Sequence, residues 1–219
     1  MLPQSLGPTE VRVLGSLIEK ELSTPDHYPL SLHALTSACN QSTNRHPVTR
    51  LDAASVSGAI DVLRRLSLVR SFQGSGERVP KYQHLLAETD ELSRAELAVL
   101  CVLALRGPQT LAEVRCRAAR LLPGDDADGV EASLEALVAR EPVPAATRLD
   151  RRPGQKEARF AHLLAGDVVY EEEEQEGAAI RASVAATDRL AALEELTQEL
   201  RSEVSDLHAQ LEAFRKQFE

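Results

Sequence analysis

A segment of this chain occurs twice. Gly76-Glu77-Arg78-Val79-Pro80-Lys81-Tyr82-Gln83-His84-Leu85-Leu86-Ala87 returns as Gly154-Gln155-Lys156-Glu157-Ala158-Arg159-Phe160-Ala161-His162-Leu163-Leu164-Ala165. Each copy has a Gly-containing turn, a basic residue before an aromatic, and then His-Leu-Leu-Ala at the same offset. Tyr82, His84 and Leu86, or Phe160, His162 and Leu164, alternate onto one face, which predicts the far strand of a hairpin. A repeat of this kind sets the plan: two related domains, each closing on this strand, and then a tail.

The first domain is expected over residues 1–87. Thr9 is a plausible N-cap for a helix carrying Val11, Leu14, Leu17 and Ile18 on one face, ended before Pro25. A long loop through His27, Tyr28 and Pro29 leads to Ser31, which caps a second helix with Leu32, Leu35 and Ala38 inward. Asn40 to Arg50 is polar and irregular. Asp52 or Ser55 starts a third helix bearing Val56, Ala59, Ile60, Leu63 and Leu66. Leu68 to Phe72 and Lys81 to Leu86 make a hairpin. Three helices and a hairpin are the winged-helix variant of the helix-turn-helix, whose third helix can enter a major groove.

Residues 88–166 repeat the scheme. Ser93 and Glu96 form a capping box, and Leu97, Leu100, Leu103 and Ala104 repeat the first stripe. Thr110 caps a second helix with Leu111 and Val114. Asp128 with Glu131 is expected to cap a third, carrying Val130, Leu134 and Leu137. Pro144 to Leu149 and Arg159 to Leu164 form the second hairpin. Aligning the apolar faces sets Glu131 against Ser57, Glu135 against Asp61 and Ala139 against Arg65. Carboxylates there would repel phosphate, so only the first third helix suits DNA. The second wing is nevertheless basic, with Arg148, Arg151, Arg152, Lys156 and Arg159.

Residues 167–177 read as an acidic linker containing Glu171-Glu172-Glu173-Glu174. Residues 178–219 are rich in Ala, Leu, Glu, Arg and Gln. Leu193, Leu196, Leu200, Val204, Leu207, Leu211, Phe214 and Phe218 make a heptad seam with one stutter, which predicts a C-terminal coiled-coil helix and a homodimer. A helix folded back along its own domains is the alternative. The fold class is therefore mainly α with small β-hairpin wings: two tandem winged-helix domains followed by a long helix.

The net charge of −9 must be divided before it informs function. Residues 1–87 hold nine Lys/Arg against seven Asp/Glu, residues 88–166 eleven against thirteen, and residues 167–219 five against fourteen. The tail carries the acidity and the first domain is mildly basic, so overall charge argues little against nucleic acid. Three separated cysteines, Cys39, Cys101 and Cys116, fit a reducing compartment. The first ten residues lack the features of a signal peptide, and no apolar run approaches a membrane span; a cytoplasmic protein with no membrane partner is expected.

Catalytic signatures such as G-x-S-x-G, Walker A, G-x-G-x-x-G and H-E-x-x-H are missing, and no nucleophile, base and oxyanion donor can be assembled. Neither an enzyme nor a cofactor is expected. His27, His33, Cys39 and His46 match no standard metal spacing. The candidate nucleic-acid contacts are Asn44, Arg45, Arg50, Ser57, Arg64, Arg65, Arg78 and Lys81 in the first domain, with Arg151, Arg152 and Lys156 in the second wing.

The stretches Thr9 to Glu21, Thr24-Pro25-Asp26-His27-Tyr28-Pro29-Leu30-Ser31-Leu32 and Cys39-Asn40-Gln41-Ser42-Thr43-Asn44-Arg45 resemble the YceH-like family of bacterial proteins. Glu96 to Leu100, Leu105 to Thr110 and Pro153 to Glu157 add to the likeness. It covers about residues 7–166, leaves the tail outside, and implies tandem winged helices without catalytic or ligand residues. The polar stretches beside helix two are expected to build one surface for DNA or a protein partner, or else to staple a loop through Asp26 and Tyr28. Double-stranded DNA is the leading partner. A protein-interaction scaffold is the alternative, by analogy with acidic tandem winged-helix adaptors.

Overall fold

The structure is a computed structural model that describes residues 5–73, 79–122, 129–151 and 155–166. The coiled-coil seam from Leu193 to Phe218 and the acidic linker lie outside these residues. In chain order the elements are α1 (Pro8–Ser23), β1 (Leu30–Ser31), α2 (Leu32–Cys39), α3 (Ala53–Arg65), β2 (Val69–Phe72), β3 (Lys81–His84), α4 (Leu86–Thr89), α5 (Arg94–Arg106), β4 (Gln109–Thr110), α6 (Leu111–Ala118), α7 (Val130–Ala139), β5 (Ala146–Leu149) and β6 (Arg159–His162). The protein is mainly helical, with two small antiparallel sheets.

The repeat holds at the level of register. The sheets run β1-β3-β2 and β4-β6-β5. Leu30 pairs with Tyr82 as Gln109 pairs with Phe160, and Val69 pairs with His84 as Ala146 pairs with His162. The two-residue strands β1 and β4 are too short to leave a period-two pattern, which is why sequence reading saw hairpins rather than three-stranded sheets.

Local caps follow side-chain chemistry. Ser31 accepts from the Ala34 amide at 3.3 Å and Asp52 from the Ser55 amide at 2.7 Å. Ser93 with Glu96 and Thr110 with Glu113 are reciprocal capping boxes. Two expected caps are corrected. Gly7 is the N-cap of α1 and Thr9 lies inside the helix, because Pro8 at the first position presets the helical φ. Gly129 precedes α7 without a side-chain cap bond, and Asp128 lies outside the described residues.

The two repeats share one core. The described residues fall in a single compact unit, and one cluster of buried apolar residues runs through both repeats. Its axis is α1 packed on α5. The expected stripes of α1 and α5 are buried, but so are Val13 of α1 and Ala98, Val99, Cys101, Val102 and Leu105 of α5; Leu66, expected on the α3 stripe, instead caps the end of that helix and is exposed. Every residue of α5 from Leu97 to Leu105 is buried, as expected of a helix apolar all round. Each helix thus serves its own repeat with one face and the opposite repeat with the other. Gly15 sits where they cross: a Cβ there would meet the Leu105 side chain at 3.0 Å and Ala104 Cβ at 3.3 Å. The Cys101 thiol donates to the Gly15 carbonyl at 3.5 Å, and burial raises its pKa, keeping it a neutral thiol.

Gly15→Val is expected to destabilise the protein by about 1–3 kcal/mol through overpacking. Gly15→Ala should lie closer to wild type, since the helix gains about 1 kcal/mol of propensity. Urea unfolding checks this, and a Gly15→Val midpoint equal to wild type would show that the crossing has slack.

Candidate functional site

The segment between α2 and α3 was the most distinctive polar stretch of the sequence, and it proves to be a clasp. Asn40 closes it: its side-chain amide donates to the Leu51 carbonyl at 2.7 Å, and its side-chain oxygen accepts from the Leu51 amide at 2.7 Å. Thr49 Oγ1 adds a bond to the Cys39 carbonyl at 3.3 Å. From this closed loop Arg45 turns inward and is only 6% exposed. Its guanidinium forms a bidentate pair with Glu19 of α1, at 3.0 and 2.6 Å, and also donates to the Ala38 carbonyl at 2.8 and 3.1 Å. A buried ion pair needs this degree of satisfaction to offset desolvation.

The clasp also reaches the second repeat. The His46 amide donates to the Leu105 carbonyl at 2.8 Å, and Arg106 donates to the Asn44 side-chain oxygen. Arg12 of α1, whose pKa is lowered by burial and by the Arg45 charge, donates to the Pro47 carbonyl at 2.6 Å. Asn44 holds a φ of 60°, a left-handed conformation that Asn tolerates better than most residues. Arg45 is therefore corrected: it is an interior residue and cannot meet a phosphate. Asn44 is exposed, with its side-chain oxygen bonded across the repeats. The expected staple of the helix-two N-terminus by Asp26 and Tyr28 is corrected: the Tyr28 hydroxyl accepts from the His84 amide at 2.7 Å and so ties its loop to β3, Asp26 is exposed, and Ser31 caps α2.

The remaining basic candidates of the first repeat lie at the surface. Ala53, Ala54, Ser55, Gly58 and Asp61 form the exposed face of α3, with Ser57 half-buried beside them. Arg50 stands exposed before the helix, and Arg64 and Arg65 are exposed at its end. Arg64 lies 3.5 Å from Asp61, an exposed pair of little energetic weight. Among the described residues, neither Arg50 nor Arg65 enters an ion pair. Lys81 is half-buried on β3; Arg78 lies outside the described residues. Sequence reading missed Arg70, which extends this basic surface along β2 and meets Glu88 at 3.3 Å.

The second repeat presents a different surface. A groove of about 610 Å3 runs between α6, α7 and the β5–β6 hairpin, with Arg115, Arg148, Arg151 and Lys156 facing the same space as Glu131, Glu135 and Glu157. Arg115 lies 3.8 Å from Glu131. Arg159 turns away from the groove's charge, donating to the Pro108 carbonyl at 3.0 Å and approaching Glu113 at 3.4 Å. The hairpin cations Arg148, Arg151 and Lys156 thus share this groove with the α7 carboxylates and Glu157. Arg152 lies outside the described residues.

The repeated histidines differ in their surroundings. His84 accepts at Nδ1 from the Leu86 amide at 3.3 Å and pairs through Nε2 with Glu21. His162 has a buried Nδ1 without a hydrogen-bond partner among the described residues, and burial pushes its pKa from 6.5 down to about 4. Among the described residues no group of three His, Cys, Asp or Glu side chains is placed to hold a metal, and no helix is long and apolar enough to cross a membrane.

These features define a mainly helical, two-repeat protein whose repeats interlock through a polar loop. A family model described as "Protein of unknown function, DUF480" matches residues 6–155. The UPF0502 protein of Pelobacter propionicus is 50% identical over 218 residues, covering 98% of each chain. The UPF0502 protein of Geobacter sulfurreducens is also 50% identical over 218 residues with 98% of each chain covered, and that of Geotalea daltonii is 49% identical over 218 residues. The chain belongs to this DUF480/UPF0502 family of bacterial proteins. The alignments with these relatives extend through the tail, which corrects the expectation that the likeness stops near residue 166.

Arg45→Ala is expected to cost about 3–5 kcal/mol of stability, since it strands the Glu19 carboxylate in the interior. Replacing both partners, Arg45→Met with Glu19→Leu, should restore much of the loss, as read by urea unfolding. Stability should also fall as pH drops from 6.5 toward 4. In that window the unfolded chain protonates His162 while the folded one does not. His162→Phe should flatten this slope between pH 6.5 and 5, and an unchanged slope would contradict the buried neutral imidazole.

Proposed function

We propose that this is a non-enzymatic DNA-binding protein built of two winged helices, in which the first repeat supplies the reading surface. The order α1, β1, α2, α3, β2, β3, repeated as α5, β4, α6, α7, β5, β6, matches the winged-helix variant of the helix-turn-helix. In that arrangement the third helix lies in a groove and the wing meets the backbone. The observation that carries the reading is the outer face of α3. Its exposed Ala53, Ala54, Ser55 and Gly58 let a groove come close, while Arg50 at one end and Arg64 and Arg65 at the other stand where flanking phosphates would run. The equivalent face of α7 carries Glu131 and Glu135, so the second repeat braces the first rather than reading DNA. The seam from Leu193 to Phe218 would join two copies and present two α3 surfaces to one duplex.

One observation favours the scaffold reading. Phe72 and Val79, on the two arms of the first wing, are 53% and 57% exposed. An apolar wing of this kind suits a protein partner, and the acidic tail would discourage DNA nearby.

Fluorescence anisotropy of the full-length protein with random duplex DNA separates the two. Binding should weaken steeply with salt, with log K falling by about 0.9 per decade of salt for each phosphate contacted. Arg50→Ala and Arg65→Ala should each make that slope shallower by about 1. Salt-insensitive binding, or slopes unchanged by both substitutions, would end the DNA reading and turn attention to Phe72 and Val79.

A further inference from the structure

A small cavity of about 50 Å3 lies on the seam between the repeats. Glu19 and Asn44 line it from the first repeat, and Arg106, Arg117 and Arg120 line it from the second, beside the apolar Val102, Leu105 and Leu121. Three guanidiniums thus share one cavity with a single carboxylate. That carboxylate is already engaged: both Glu19 oxygens are held by Arg45, at 3.0 and 2.6 Å. Arg117 is partnered by Glu113 at 3.3 Å. Among the described residues Arg106 and Arg120 bond to uncharged acceptors, the Asn44 side-chain oxygen and the Cys116 sulfur. The cavity therefore carries positive charge that its own walls do not balance.

We propose that this cavity is a binding site for a tetrahedral oxyanion, a free phosphate or the phosphate group of a small metabolite. Guanidiniums present paired donors that match phosphate oxygens, and such charge-assisted bonds are the stronger class. Size agrees: one water needs about 10–15 Å3, so 50 Å3 admits a group of a few heavy atoms but not a sugar or base within the cavity itself. Burial and then the Arg117 charge lower the Arg106 pKa, Glu19 opposing them and Arg120 and Arg45 adding smaller repulsions; an anion would relieve the repulsion part of that. The site draws on α1, the clasp, α5, α6 and the turn after it, and on nothing from α3 or the first wing. It is separate from the surface proposed to read DNA. Because both repeats supply its walls, the anion would brace their seam.

The test is phosphorus NMR of inorganic phosphate at millimolar concentration with the full-length protein, beside a thermal melt in phosphate against chloride at matched ionic strength. Wild type should broaden the phosphate resonance and gain several degrees in Tm with saturation. Arg120→Gln, an exposed position whose loss leaves the core intact, should reduce both effects, and Arg106→Gln with Arg120→Gln should abolish them. Sulfate and phosphate also stabilise proteins without binding, so the difference between wild type and variant is the readout. Equal broadening and equal melting shifts in wild type and the double variant would overturn the site. A short duplex that displaces phosphate from wild type would overturn its assignment to a small molecule; retained phosphate binding in the presence of duplex supports it.

Discussion

Everything in the described part of this protein depends on the close approach of α1 and α5. Each is the first helix of a repeat, and each must bury an apolar stripe against its own second and third helices. Aromatic bulk is scarce, with three Tyr, four Phe and no Trp in the chain, so aliphatic helix faces must supply the core. Packing the first helices on one another solves this by giving each a second buried face. A glycine at position 15 makes the approach possible, since Leu105 and Ala104 occupy the space that a side chain there would need. The result is one core with two small peripheral sheets.

The polar clasp completes what the helix pair begins. An arginine, a glutamate and two asparagines would ordinarily be read as surface. Here Arg45 and Glu19 neutralise each other in the interior, Asn40 closes the loop that delivers Arg45, and Asn44 meets Arg106 across the seam. Among the described residues the exposed face of α3 takes no part in this joining, whereas Arg106 does so while also lining the arginine cavity.

Much of this was legible in the sequence. The twin segments marked the hairpins, though their strands end at His84 and His162 and Leu86 opens α4 instead of continuing the strand, and Ser31, Asp52, Ser93 and Thr110 announced their helices because capping is a local interaction. Burial of Val56, Ile60 and Leu63 together with Val130, Leu134 and Leu137 supports the alignment that set Glu135 against Asp61. What escaped reading was non-local. The unbroken apolar run from Leu97 to Leu105 signalled a helix buried all round, yet only one of its faces was used in the prediction. Arg45 looked like a phosphate contact because a charge in a polar loop carries no local sign that a carboxylate 26 residues earlier will receive it. Strands of two residues have no period to detect, and the cavity joins side chains from distant segments.

Native-state hydrogen exchange of the amides in α1 and α5 tests the shared core most directly, compared between wild type and Gly15→Val. If the two helices are one cooperative unit, their slowest amides open with the same free energy, and both lose the same amount in the variant. Loss of protection confined to α1, with α5 unchanged, would mean that the repeats fold as independent domains and that the interlock is incidental.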